Sequence, residues 1–217
     1  MNGKRKVIMF AILAVMIVVL GGIGIYYWYE NTYFVSTDDA RISGDLVSVS
    51  PQISGKLLEL NVEEGNKVIK DQILGRQEAI NLPDSSIDQS VFRAPISGIV
   101  IKKQGTVGEV VSPGQTVAMI IDPAKLYITA NIEETKLGRL SQGQKVEITI
   151  DQFAGKQFSG KVKFVGEAAN STFSLLPAST SGTFTKVVQK IPVKIELDQN
   201  DGKLLPGTNA VVKIHVK

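Results

Sequence analysis

The sequence has no cysteine and a single histidine among its 217 residues. The lack of cysteine excludes disulfide cross-links, a thiol nucleophile and metal sites with cysteine ligands. The one histidine, His215, argues against a metal cluster built on imidazoles, and no serine stands in a nucleophile motif. No phosphate-binding loop is present either. The composition therefore favours a protein that acts by binding and is not an enzyme, with no cofactor, no catalytic residue and no metal.

Acidic residues are missing from the first 29 positions. The chain opens with Lys4, Arg5 and Lys6, and its first acidic residue is Glu30. From Glu30 onward the basic residues balance the 21 acidic ones, so the net charge of +3 belongs to the N-terminus. A neutral remainder gives no indication of a nucleic-acid partner.

Charged residues are also absent from Val7–Tyr29. At about 1.5 Å per residue this run covers about 34 Å, more than the roughly 30 Å of bilayer hydrocarbon. A cleaved signal peptide, the alternative, has a shorter apolar region ending in small residues. This run ends instead in four aromatic residues suited to a lipid–water interface. These interface anchors are Tyr26, Tyr27, Trp28 and Tyr29.

The basic start and the acidic residues after the apolar run give the helix a direction. Basic residues favour the cytoplasmic side of a membrane span. The sequence therefore predicts a single-pass helix over 7–29 in the cell membrane, with residues 1–6 in the cytoplasm and residues 30–217 outside.

The chain repeats itself with a shift of 43 residues. Ile53-Ser54-Gly55 superposes on Ile96-Ser97-Gly98, and Gly65 superposes on Gly108. Because the intervening runs are too short for helices and glycine permits positive φ, each copy is interpreted as three or four short strands. The repeated turn-forming positions are Gly55, Gly65, Gly98 and Gly108. Neither copy can bury a core alone, so the repeat predicts two interlocked half-motifs in one β-sandwich.

The repeated segments Pro51–Leu74 and Ala94–Ile121 resemble the two halves of a lipoyl/biotinyl domain, split as in the HlyD family of membrane fusion proteins. The lead-in Ser36–Ile42 is similar to the same family, and Leu126–Thr135 and Lys186–Ile195 resemble its EmrA branch. The resemblance implies an adaptor that assists a multidrug or small-molecule efflux transporter, an integral-membrane protein of the major-facilitator type. It also implies a homo-oligomer that acts by binding outside the cytoplasm.

The join between the half-motifs departs from the family pattern. Family members of this type usually carry a long α-helical hairpin there, whereas this join is the 13-residue loop 79–91, which contains turn formers such as Pro83 and Asp84. An antiparallel helix pair does not fit into it, which puts docking to an outer-membrane channel in doubt.

The same join bears on an alternative class of protein, the biotin or lipoate carrier domain. Carrier domains attach their cofactor to a lysine between the two halves, and no lysine occurs between Lys70 and Lys102. A further alternative is an anchored envelope protein with a structural or sensor role and no part in transport.

After about residue 124 the hydrophobic alternation lengthens. It predicts five strands and a short helix over 134–140, which together indicate a small β-barrel. The predicted strands cover 126–132, 146–150, 158–165, 186–197 and 209–216. Pro192 within the fourth strand indicates a bulge or an edge, since proline cannot donate to a ladder.

The predicted fold class is all-β with one N-terminal transmembrane helix, a split lipoyl/biotinyl-like β-sandwich and a small β-barrel. The predicted segments are a tail at 1–6, the helix at 7–29, a lead-in strand or linker at 30–46, half-motifs at 47–78 and 92–123 around the loop 79–91, and the barrel at 124–217.

A loop rich in Ser, Thr and Gly over 166–185 is the least regular part of the predicted barrel. Phe173, Leu175 and Leu176 interrupt it with apolar side chains. Exposed apolar residues in such a loop are candidates for partner docking, and they can equally fold back as a plug of the barrel. By the family resemblance, this domain lies near the membrane, where a transporter would be met.

Overall fold

The computed structural model describes residues 3–78, 88–153, 155–169, 188–199 and 204–217. The chain forms two compact units. One, the barrel unit, comprises Met1–Ala40, Thr129–Asp198 and Asn209–Lys217; the other, the sandwich unit, comprises Arg41–Ile128 and Gln199–Thr208. The fold class agrees with the all-β prediction, with one N-terminal apolar helix.

The helix α1 spans Gly3–Tyr33. Its segment Phe10–Tyr33 is long and apolar enough to cross a membrane. All side chains from Phe10 to Tyr29 are exposed, so nothing in the described part of the chain covers this apolar surface. The helix runs four residues beyond the predicted end at Tyr29, because Glu30–Tyr33 contains neither glycine nor proline to stop it.

The sandwich unit contains eight short strands in two sheets, ordered β2-β9-β7-β4 and β6-β5-β3-β8. Their bounds are Leu46–Val49 (β2), Gly55–Leu60 (β3), Lys67–Val68 (β4), Ile73–Gln77 (β5), Val91–Arg93 (β6), Gly98–Lys103 (β7), Val110–Val111 (β8) and Ala118–Ile121 (β9). A shift of 43 residues carries β3 onto β7 and β4 onto β8, and it exchanges one sheet for the other. Each sheet thus contains two strands from each half-motif, which is the interlocking that the repeat predicts.

The four repeated glycines serve two different purposes. Gly65 and Gly108 lie in turns with φ of +88° and +95°, a region that other residues enter only with strain. Gly55 and Gly98 differ from the turn prediction, since they are the first residues of β3 and β7. A Cβ atom there would collide with a carbonyl oxygen, that of Glu78 for Gly55 and that of Ile121 for Gly98. Close backbone approach is therefore what requires glycine at these two positions.

The barrel is closed and has six strands in the order β1-β10-β13-β12-β11-β14. Their bounds are Phe34–Ser43 (β1), Tyr127–Glu133 (β10), Lys145–Ile150 (β11), Gln157–Val165 (β12), Lys190–Leu197 (β13) and Asn209–His215 (β14). The sequence predicts five of these strands. The sixth is β1, which lies in the segment 30–46 predicted as a lead-in strand or linker and which closes the barrel.

Two local features of the barrel also differ from the prediction. The short helix after β10 is a 3₁₀ helix over Glu134–Arg139. The bulge is not at Pro192 of β13 but on the partner strand β12, where the register shifts between Val162 and Phe164, opposite Ile195 and Lys194. The Pro192 carbonyl accepts a hydrogen bond from the Gly166 amide at 2.9 Å, and the reciprocal bond to the Gly166 carbonyl is the one that proline, which has no N–H, cannot donate.

Polar side chains fasten β1 to its neighbours. The Asp39 carboxylate accepts a hydrogen bond from the Asn131 amide of β10 at 2.9 Å and forms an ion pair with the Lys190 ammonium of β13 at 2.7 Å. Thr37 donates its hydroxyl to the Asn131 carbonyl oxygen at 3.1 Å. This Asp39 bridge gives the lead-in motif a structural role, since it spans three adjacent strands at the point where the barrel closes.

We predict that Asp39→Ala lowers the free energy of unfolding by about 1–2 kcal/mol, because it removes the charge-assisted hydrogen bond that the Asn131 side-chain amide donates to Asp39. The hydrogen bond to Asp39 raises the pKa of Lys190, so the contribution of the pair is complete at neutral pH and is lost only as the pH rises beyond the ordinary lysine value of 10.5. Chemical denaturation of both proteins at pH 7 and above pH 11 checks this. An equal midpoint for the variant and the parent at pH 7 would contradict it.

We also predict that Gly98→Ala destabilises the sandwich by about 1–3 kcal/mol through collision with the Ile121 carbonyl, which is backbone and cannot move aside. No atom lies within 4 Å of the position that a Cβ atom would take at Gly65, so Gly65→Ala should cost only torsional strain, and Gly65→Asn less still. Thermal unfolding of the three variants should rank them in that order. A Gly65→Asn variant less stable than Gly65→Ala would show that strain in φ is not the cause.

Candidate functional site at the helix-bearing end of the barrel

The strand directions bring several chain segments to the end of the barrel at which α1 enters. β1 follows α1 without a linker, and the Val216 amide after β14 donates to the Tyr33 carbonyl at 2.9 Å. β11 runs antiparallel to β14 and pairs Lys145 with Lys161 of β12. The start of β11, the end of β12 and the start of β13 therefore lie at this same helix-bearing end.

Two bonds fix the last turn of α1 to the barrel. The Glu30 carboxylate forms an ion pair with the Lys213 ammonium of β14 at 2.6 Å. The Arg139 guanidinium, at the end of the 3₁₀ helix, donates to the Thr32 carbonyl at 2.7 Å. The hydrogen bond to Glu30 raises the pKa of Lys213, so the Lys213 ammonium stays charged across the neutral range. We call Glu30, Thr32, Arg139 and Lys213 the helix–barrel latch.

Aromatic rings continue the contact from the helix to the barrel. The Tyr29 ring lies 4.7 Å from that of Tyr33 and 6.1 Å from that of Phe34, measured between centroids. Phe34 in turn packs edge-on against His215 at 4.7 Å and lies under the Lys213 ammonium at 4.1 Å. The His215 ring nitrogen Nε2 lies 2.7 Å from a Glu147 carboxylate oxygen, so this histidine belongs to the junction.

The four interface anchors divide into two groups. Tyr26, Tyr27 and Trp28 are 63–68% exposed, and no described ring of the barrel contacts them. Tyr29 alone reaches the junction rings. The predicted docking residues Phe173, Leu175 and Leu176 lie outside the described residues.

The described side chains at this end form ion pairs, hydrogen bonds and ring contacts. Across the described ranges, no group of three or more His, Asp and Glu side chains comes close enough to hold a metal ion. The residues missing from the sequence prediction are those of the latch. Glu30 directly after an aromatic run is a visible signal, but its partner Lys213 follows by more than 100 residues, as does Arg139, the partner of Thr32. Only the barrel topology brings these residues together.

Comparison with known proteins adds the family. The barrel-sandwich hybrid domain of RND membrane fusion proteins matches residues 45–123, and the YknX-like β-barrel domain matches residues 126–214. YhbJ of Bacillus subtilis (strain 168), named as an efflux system component, is 36% identical over 215 residues, which cover 99% of this chain and 94% of YhbJ.

Two further proteins are similar over most of this chain. The multidrug export protein EmrA of Escherichia coli (strain K12) is 27% identical over 197 residues, which are 85% of this chain but 50% of EmrA. A solved structure of the periplasmic adaptor protein EmrA has a TM-score of 0.59 at 14% identity, covering 85% of this chain and 99% of the other, and so shows the fold. With both domain models in order and a relative matched from end to end, the chain belongs to the membrane fusion protein family, the EmrA-like adaptors of efflux systems.

Proposed function

We propose that this protein is a membrane-anchored adaptor that assists an efflux transporter in the same membrane through contacts of its extracytoplasmic part. The observation that carries the proposal is the latch, since it joins a helix of membrane-spanning length to a barrel with no linker between them. A barrel held in this way keeps one end against the bilayer, where an integral-membrane partner is available. The positively charged N-terminus supports a helix that begins on the cytoplasmic side of the membrane.

The loop ends support the docking site. Segment 166–189 leaves the barrel after Val165 and returns at Lys190, and both residues lie at the helix-bearing end. In the sequence, Phe173, Leu175 and Leu176 lie between these two ends. We propose that they contact the transporter.

The partner class follows from the family. The similarity to proteins named as multidrug exporters supports a multidrug or small-molecule exporter, and the EmrA-like pattern supports a major-facilitator transporter. The 13-residue join 79–91 supports a function that does not require reaching an outer-membrane channel. Because one chain of 23.5 kDa is too small to enclose an exit path, we propose that several copies assemble around the transporter.

Co-purification tests this proposal against an anchored structural or sensor protein. The full chain is extracted in mild detergent, and the recovered proteins are identified by mass spectrometry. Recovery of a polytopic transporter supports the adaptor. Recovery of soluble envelope proteins alone would contradict it.

Replacing Phe173, Leu175 and Leu176 together by serine should reduce transporter recovery at least about tenfold, since a cluster of buried apolar anchors commonly carries most of the binding energy of an interface. The matched control changes the neighbouring polar residues Ser171, Thr172 and Ser174 to alanine and should leave recovery unchanged. The circular dichroism spectrum of both variants should match that of the parent. Normal recovery with the serine variant, or loss of its fold, would contradict docking by this loop.

The latch predicts a fixed angle between helix and barrel, and the absence of cysteine allows a clean measurement. Spin labels on Asn31→Cys and Lys145→Cys should give one narrow distance distribution. Lys213→Ala with Arg139→Ala should broaden it, while the free energy of unfolding changes by about 1 kcal/mol or less, as is usual for partly exposed pairs. Lys213→Ala alone should also broaden the distance distribution. The variant with exchanged charges, Glu30→Lys with Lys213→Glu, forms the ion pair again and should give a width close to that of the parent. Equal widths in parent and double alanine variant would show that the latch does not orient the barrel.

A further inference from the structure

The bulge in β12 turns an aromatic side chain out of the barrel. Along this strand Phe158, Gly160 and Val162 are buried, and the residues between them are exposed. Phe164 would continue the buried series, but the register shift after Val162 places it on the outside, where its side chain is 54% exposed. A bulge of this kind redirects a side chain at a specific point of a sheet.

This exposed ring lies at the helix-bearing end of the barrel. Phe164 is three residues beyond Lys161, which pairs with the first residue of β11, so it extends about 10 Å farther toward the helix-bearing end. Val188, 58% exposed, stands two residues before β13 at the same end. We call Phe164 and Val188 the apolar rim.

The helix sets the height of this end above the bilayer. From Tyr29, the last interface anchor, to Tyr33 the chain rises by about 6 Å, and β1 begins at the next residue. The headgroup layer on one side of a bilayer is roughly 5–8 Å thick. With Tyr29 at the interface of a membrane that α1 crosses, the helix-bearing end lies at headgroup level, and side chains that extend beyond it meet lipid.

We propose that the apolar rim inserts into the lipid–water interface of the membrane that α1 crosses, as a second point of attachment for the barrel. The occupant is the phospholipid surface itself, because the continuous helix and strand hold this end against it whether or not a transporter is bound. An aromatic ring is the side chain best suited to this layer. Two attachment points, α1 and the rim, stop the barrel from rotating about the helix axis. This inference rests on the proposed membrane anchoring.

Tryptophan quenching by lipid tests the rim in the full chain. Trp28 is the only tryptophan, so a Trp28→Phe background is free of other indole emission. Phe164→Trp and a control, Val211→Trp, are introduced separately into this background and reconstituted into phosphatidylcholine vesicles with spin-labelled headgroups. Val211 is apolar and 43% exposed, and it pairs with Thr149 near the opposite end of β11.

The Phe164→Trp variant should lose about half of its emission or more, as for a ring within the interface, and the Val211→Trp variant should lose almost none. Dilution to one copy per vesicle should not change this result, since the proposed contact is with lipid. Equal quenching of the two variants would overturn the inference. Absence of quenching together with loss of transporter recovery in Phe164→Asp would assign the rim to a protein partner and would overturn it as well.

The parent protein separates this inference from the proposed function. Trp28 should be quenched by the same vesicles because it lies at the interface as part of α1. If Trp28 is quenched and the Phe164→Trp variant is not, the anchoring by α1 is supported and the insertion of the apolar rim is wrong. If Trp28 is not quenched, the anchoring itself is wrong.

Discussion

The direct passage from α1 into β1 is the constraint on which the rest of the barrel unit depends. Tyr33 ends the helix and Phe34 begins the strand, so any tilt of the helix is transmitted to the strand that closes the barrel. The latch pairs and the junction rings surround this point, while the Asp39 bridge secures the same strand further along. A flexible linker here would leave none of the latch contacts with a defined partner.

The sandwich unit depends on a different constraint, the formation of its core. Its strands come from two copies of one motif, and a core forms only where each copy supplies two strands to each sheet. Close approach at Gly55 and Gly98 is a consequence of that interlocking, because neighbouring backbone carbonyls occupy the space of a Cβ atom.

Much of the fold could be predicted from the sequence, because periodicity and repetition are local signals. The span of α1, the interlocked half-motifs and five barrel strands follow from patterns within windows of a few residues. The place of the sixth strand in the barrel did not follow, and its segment was predicted only as a lead-in strand or linker. The alternation of Phe34–Ser43 is interrupted by polar residues, of which Thr37 and Asp39 bind Asn131 and Lys190 of other strands. The latch could not be predicted either, because it depends on pairs of residues more than 100 positions apart. The apolar rim depends on a bulge in β12 that no residue type in the sequence indicates.

The central claim is that the barrel must be held against the membrane in a fixed orientation for the adaptor to engage its transporter. Insertion of a ten-residue Gly-Ser linker between Tyr33 and Phe34 tests it most directly, because such a segment is flexible yet leaves anchor, barrel and sandwich sequences intact. The account predicts that the inserted protein remains folded and membrane-bound while its recovery of the transporter in mild detergent collapses. Undiminished recovery of the transporter with the linker in place would contradict it.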